Sequence, residues 1–174
     1  MTGDLRYPVG TFDWTAVPRP EQREPAIAAI TDLPRRMRAA VDGLADHQLD
    51  TPYRPDGWTV RQVVHHVVDS HINGFIRTKF ALTEDAPSIK PYDEKAWAQL
   101  PDARLPIDVS LIVLDGLHAR WSVIWRALDD AQLSRGYRHP EIGIVTLRQQ
   151  LQGYAWHSRH HVTHITELRR REGW

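Results

Sequence analysis

Apolar residues recur every three or four positions in four separate stretches of this chain, and each stretch predicts a helix with one face turned to a core. The first runs from Pro25 to about Ala45, with Ile27, Ile30, Leu33, Met37, Val41 and Leu44 as its stripe. The second starts at Thr59, where Gln62 stands three residues on; in that pairing each side chain bonds the other residue's backbone N–H. Val60, Val63, Val64, Val67, Val68, Ile72, Phe75, Ile76 and Phe80 follow it. The third spans about Asp108 to Leu128 and presents Leu111, Leu114, Leu117, Trp121, Ile124, Trp125 and Leu128. The fourth begins after Thr146 and continues to about Arg171, with Leu147, Leu151, Tyr154, Ile165 and Leu168.

The segments between these stripes are rich in residues that stop helices. Residues 1–20 carry Pro8, Pro18 and Pro20 and read as an extended arm. Pro52, Pro55 and Gly57 mark a linker, and Pro87, Pro91, Pro101 and Pro106 a long loop from about Asp85 to Ile107, with a turn of helix at Glu94 to Ala98. A loop of that length in a small domain is often functional. His139-Pro140-Glu141-Ile142-Gly143 reads as a turn between two very short extended pieces. Four long helices and no convincing sheet predict an all-α single domain over residues 1–174, a four-helix bundle with long crossover loops.

Composition narrows the chemistry. At 174 residues the chain can bury a sizeable core without a structural metal or disulfides, so any bound metal is expected to be functional. Lys+Arg and Asp+Glu both total 22, leaving no general basic surface for nucleic acid or anionic lipid. The absence of cysteine excludes thiolate ligation and a cysteine nucleophile, and suits a reducing cytoplasm. No run approaches a membrane span or a signal peptide, so a cytoplasmic protein without membrane association is expected.

Ten histidines are the remaining signal, and four of them stand in Trp156-His157-Ser158-Arg159-His160-His161-Val162-Thr163-His164. At about 100° per residue, His157, His160, His161 and His164 share an arc of roughly 100° on one helix face. Neutral imidazole is the commonest ligand for borderline divalent metals, and residues four apart bring two ring nitrogens together. In a helical bundle a facing helix completes such a site. The second helix offers His65, His66 and His71, and periodicity leaves the choice among them open.

The segment Gly57-Trp58-Thr59-Val60-Arg61-Gln62-Val63-Val64-His65-His66-Val67-Val68-Asp69-Ser70-His71, the later Pro91-Tyr92-Asp93-Glu94-Lys95-Ala96-Trp97, and Tyr154-Ala155-Trp156-His157 through Glu167 with Gly173-Trp174 resemble the YfiT-type branch of the DinB-like superfamily. The resemblance covers nearly the whole chain. It implies a four-helix bundle, a homodimer, and one divalent metal per chain, zinc or nickel, held by three histidines. On that pattern the ligands are His66, His157 and His161, although the pair His160 and His164 has the same spacing. His160 and His164 are then expected as neighbours that orient the ligands or wall the pocket. Trp58 and Trp156 are expected to line it, His71 to be a buried hydrogen-bonded ring, and His65 to stand beside the ligands or in the pocket wall, paired with Asp69 four residues on.

Three protein ligands leave part of a metal's sphere open, the pattern of a catalytic site. Such a metal activates water for hydrolysis or takes up a small-molecule thiol for transfer to an electrophile. The helical peptidase motif His-Glu-x-x-His is absent, because Ser158 stands where its glutamate would be. The family is named for metal-dependent hydrolysis and is also implicated in transferring bacillithiol, a bacterial cysteine-containing thiol. A bacillithiol-like S-transferase with a small-molecule thiol and an electrophilic substrate is the leading expectation, hydrolysis its alternative. A non-catalytic dimeric metal-binding module is the alternative from another class. Arg61, Arg77 and Arg120 are candidates for substrate carboxylates, no general base is evident, and Arg169-Arg170-Arg171 is expected to be a solvated last turn suited to the helix dipole.

Overall fold

The computed structural model describes residues 4–174, so residues 1–3 of the predicted arm lie outside the described residues. Four long helices form the body: α1 (Arg23–Val41), α3 (Val60–Thr83), α5 (Asp108–Ala127) and α7 (Leu147–Glu172). Between them lie the short helices α2 (Asp46–Leu49), α4 (Glu94–Trp97) and α6 (Asp130–Ser134). Two strands, β1 (Gly136–His139) and β2 (Gly143–Thr146), pair antiparallel from Gly136 opposite Thr146 to His139 opposite Gly143. Helix α1 packs on α7 and α5, and α3 on α5 and α7. The four-helix bundle with long crossovers is thus the observed architecture, and the two extended pieces form a hairpin feeding directly into α7.

Local chemistry sets the helix starts. Thr59 Oγ1 accepts the Gln62 N–H while the Gln62 amide oxygen accepts the Thr59 N–H, the reciprocal cap read from the sequence. Thr146 and Gln149 repeat it at α7, so one threonine ends the hairpin and starts the longest helix. Gly173 ends α7 at φ 72°, a left-handed turn that costs glycine nothing.

The predicted stripes are buried or, at Leu44 beyond the end of α1 and at Ile72, Leu117 and Ile124, half-buried, with one exception. Beyond Phe75 the buried side of α3 passes to Thr78 and Ala81, which are fully buried, and Ile76 and Phe80 are left each 43 % exposed. The basic end of α7 is the solvated turn expected at Arg170 and Arg171, and it also ties the fold together. Arg169 donates to the carbonyls of Ala40 and Asp42 and Arg171 to that of Tyr53, so two of the three arginines tie α7 to the segment following α1.

The core falls into two apolar clusters. One gathers Leu33 to Val41 of α1, Val60 to Val68 of α3, Leu111 and Leu114 of α5, and Val162 to Leu168 of α7. The other gathers Ala26 to Ile30, Phe75, Trp121, Trp125 and Leu147 to Ala155, together with Tyr137 and Val145 of the hairpin. On α3, α5 and α7 the residues between the two clusters include His71, His118 and His157 with His160 and His161. A layer of imidazole therefore crosses the bundle where its two apolar halves meet.

The α3–α7 crossing in this layer is close. A Cβ placed on Gly74 would lie 2.3 Å from the Tyr154 ring and 2.7 Å from Trp121, and the Gly74 carbonyl accepts from Gln150 at 2.7 Å. Gly74→Val should therefore lower stability by about 1–3 kcal/mol through overpacking. Urea unfolding checks this, and an unchanged midpoint would show that the crossing has slack.

Candidate metal centre

His66 of α3 faces His157 and His161 of α7. Ring centroids are 5.4 Å apart for His66 and His157, 4.9 Å for His66 and His161, and 4.4 Å for His157 and His161. One nitrogen from each ring falls within 4.8 Å of the others. Nitrogens around a tetrahedral zinc with bonds of ~2.1 Å stand about 3.4 Å apart, so small ring rotations would close these three on an ion. Burial lowers all three pKa values, His66 to about 3 and His157 and His161 well below the ordinary imidazole value, with neighbouring imidazoles adding to the effect. The rings are accordingly neutral at neutral pH, the form that binds metal. Three neutral nitrogens of this kind suit a borderline divalent metal.

His160, His161 and His164 bring their ligand atoms within the same 4.8 Å, so His161 is common to two groups. The surroundings of these groups differ. His160 stacks on Trp156 at 4.5 Å, and its Nδ1 is buried with no partner among the described residues. His164 stacks on Tyr53 at 3.9 Å, its Nε2 lies 3.1 Å from the Arg6 carbonyl, and its Nδ1 lies 3.4 Å from His161 Nδ1.

Behind the first group stands a row of further histidines. His157 Nδ1 lies 3.1 Å from His71 Nε2, His71 Nδ1 lies 2.9 Å from His118 Nε2, and His118 Nδ1 lies 2.6 Å from the Ile30 carbonyl. His71 thus has both nitrogens engaged and is the buried bonded ring expected of it. His118 lies outside every histidine-rich motif of the sequence, yet it sits on the α5 stripe four residues after Leu114 and three before Trp121. A histidine at core spacing on an apolar helix is the signal that marks it.

The remaining expected residues divide. Trp58 packs against His66 at 4.4 Å between centroids. The structure does not bring His65 to the group. Its Nε2–H donates to the Leu105 carbonyl at 3.1 Å and its Nδ1 lies 2.7 Å from Ser110 Oγ, so it ties the long loop and α5 to α3 and does not pair with Asp69. Of the three arginines, Arg61 is taken by Asp46 and Asp50 at 2.9 and 2.7 Å, and Arg120 lies over the Phe75 ring at 5.2 Å.

Arg77 lines a cavity of about 400 Å³ with Tyr92, Glu94, Trp14, Trp156 and His157 in its wall. His157 is therefore shared between the cavity and the histidine group. Two segments complete the wall from outside the bundle. The arm lays Trp14 on Gly153, where a Cβ would stand 2.4 Å from the indole, and the Gly10 carbonyl accepts the Trp156 indole N–H. The long loop is pinned to β1 by Ile89 N–H to the Arg138 carbonyl and Arg138 N–H to the Pro87 carbonyl, which places Tyr92 and Glu94. Partial desolvation raises the Glu94 pKa from its ordinary value, and Arg77 works against that rise.

Comparisons with known proteins identify the family. Residues 29–165 match the DinB superfamily. Proteins of Bacillus mycoides (strain KBAB4) and Bacillus cereus (strain B4264), both named "Putative metal-dependent hydrolase", are 52% identical over 171 residues, covering 98% of this chain and 99% of theirs. The solved structure of YfiT from Bacillus subtilis, described as "a probable metal-dependent hydrolase with an unusual four-helix bundle topology", superposes with a TM-score of 0.93 at 48% identity over 98% of each chain.

The buried neutral rings make stability depend on acid. An unfolded imidazole titrates near 6.5, whereas folded His66 is held at about 3 and His118, His160 and His164 at about 4. Above 6.5 neither state binds these protons; below it the unfolded chain takes them up first, so stability falls as pH drops toward 4, by up to about 1.4 kcal/mol per pH unit for each ring. Urea melts of metal-free protein across this range should show a steadily falling midpoint, and a flat profile would contradict a neutral buried layer.

Proposed function

This chain belongs to the DinB superfamily, in its YfiT-type branch, and from that premise we propose that it is a metal-dependent enzyme whose three-histidine centre activates a small-molecule thiol for transfer to an electrophile. The observation that carries the reading is the convergence of His66, His157 and His161, neutral and from two helices, beside a cavity large enough for a small molecule. A divalent metal held there, zinc or nickel, supplies a positive charge that lowers the pKa of a thiol or water it meets.

The choice of thiol rests on what surrounds the rings. The side chains that join burial in lowering the pKa values of His66, His157 and His161 are other imidazoles, and the carboxylates of Glu94 and Glu141 stand in the cavity wall rather than in the histidine group. Ser158, in the place of a peptidase glutamate, is buried and donates to the Tyr154 carbonyl at 2.7 Å. Activating water in such a site needs a base close by, whereas a thiol's lower intrinsic pKa needs far less help. In the transfer, the thiol gives up its proton, sulfur bonds to the electrophilic carbon, and the leaving group departs with the electron pair of its bond. Across the cavity, Arg77 suits a substrate carboxylate, Glu94 and Glu141 can accept or return a proton, and Trp14, Trp156 and Tyr154 exclude water.

Hydrolysis is the second reading, favoured by the names of the relatives. Metal-loaded protein incubated with monochlorobimane and cysteine-containing thiols separates the two. Metal-dependent conjugation supports transfer; its absence with every thiol, alongside metal-dependent ester or amide cleavage, would replace transfer with hydrolysis. Neither activity in metal-loaded protein would leave a non-catalytic metal-binding module.

Site assignment has its own test. His66→Ala, His157→Ala and His161→Ala should each abolish metal retention by untagged protein, while His160→Ala and His164→Ala should retain metal with affinity reduced about 10- to 100-fold. Elemental analysis after dialysis reads this, and normal retention by His66→Ala would exclude the ligand from α3.

A further inference from the structure

We infer that two backbone carbonyls, acting through relays of buried imidazoles, dictate which nitrogen His157 and His161 present to a metal, and that His71, His118 and His164 are positioning residues for the centre. This rests on the three-histidine reading above but not on the choice between thiol and water.

The inference follows from counting protons. A neutral imidazole has one N–H and one lone pair, and a carbonyl oxygen only accepts. His118 Nδ1, 2.6 Å from the Ile30 carbonyl, must carry the proton, which leaves His118 Nε2 as an acceptor. That nitrogen lies 2.9 Å from His71 Nδ1, so His71 donates from Nδ1 and accepts at Nε2. The His71 acceptor lies 3.1 Å from His157 Nδ1, which must then be the protonated nitrogen of His157. The lone pair of His157 is left on Nε2.

A second relay runs from the arm. The Arg6 carbonyl, 3.1 Å from His164 Nε2, puts the proton of His164 there and leaves its Nδ1 as an acceptor. His161 Nδ1, 3.4 Å away, is the donor to it, and the lone pair of His161 is again on Nε2. Both α7 ligands are thereby set in one tautomer from their far sides. The same accounting decides between the two groups that share His161. His164 has its proton on the Arg6 carbonyl and its lone pair on His161, so it joins a metal only by giving up one of them, and the group with His66 is preferred.

The anchor of the longer relay has a cause in the sequence of α1. Proline at position 34 has no N–H, so the carbonyl four residues before it, that of Ile30, is left without its helical donor. His118 supplies the missing hydrogen bond. A proline that weakens α1 by itself thus exposes, deep in the bundle, the acceptor that orders three histidines.

Long-range proton–nitrogen correlation NMR on metal-free protein at pH above 7 tests this directly. The expected result is a single Nδ1–H tautomer for His118, His71, His157 and His161 and an Nε2–H tautomer for His164. An Nε2–H form of His157 or of His161 would overturn the proposal. His118→Phe keeps a ring in the core but removes the link to Ile30. It should leave His161 unchanged, give His157 a mixture of tautomers, and weaken zinc binding about 10- to 100-fold in competition with a chelator. A folded His118→Phe protein with the His157 tautomer and zinc affinity both unchanged would overturn the relay; should that variant fail to fold, the wild-type spectrum decides. Expected tautomers in a protein that binds no zinc would instead overturn the metal centre and leave the relays standing.

Discussion

The structure depends on keeping a layer of imidazoles neutral between two apolar clusters. Burying a polar ring costs free energy unless its N–H and its lone pair are both matched, and burying a charged one costs far more. Because each ring has a single proton, satisfying one nitrogen commits the other, and the commitment passes from ring to ring. The bundle meets this by ending each row on a backbone carbonyl, that of Ile30 behind His157 and that of Arg6 behind His161. On this accounting the lone pairs at the opposite ends of the rows, those of His157 and His161, are left for the group that His66 completes.

The same layer explains the unusual placement of the segments outside the long helices. The arm covers the histidine face of α7, with Trp14 packed on Gly153, Trp156 bonded to the Gly10 carbonyl and His164 bonded to that of Arg6. The long loop, held to the hairpin through Ser88 and Arg138, carries Tyr92 and Glu94 to the opposite wall of the cavity. His65 fastens the other end of that loop by bonding Leu105 and Ser110. Histidine thus serves three purposes here: candidate ligand, relay, and fastening for the loop.

Two features of local sequence that read as weaknesses are used by the tertiary structure. The proline in α1 removes a helical bond and frees an acceptor for His118, while the glycines at 74 and 153 allow α3 and the arm to approach α7 closely enough to seat Tyr154 and Trp14. Neither role is visible until facing elements are in place, because each is defined by what occupies the space left open.

By itself the sequence determined the four amphipathic helices, their reciprocal caps at Thr59 and Thr146, the hairpin turn and the crowding of imidazole on one face of α7, since these follow from periods of three to four residues and from contacts within one turn. The motifs resembling the YfiT-type branch indicated His66 as the ligand on α3, a choice that periodicity alone left open. Only the tertiary structure decided that Arg77 lines the cavity while Arg61 and Arg120 are engaged elsewhere, that His65 serves the loop, that Ile76 and Phe80 of α3 are exposed while Thr78 and Ala81 are buried, and that His118 meets His71. Several of those outcomes turn on distances between residues 40 to 158 positions apart in the chain, such as Leu105 from His65 or Arg6 from His164, and no local period encodes which nitrogen will find which carbonyl across such a gap.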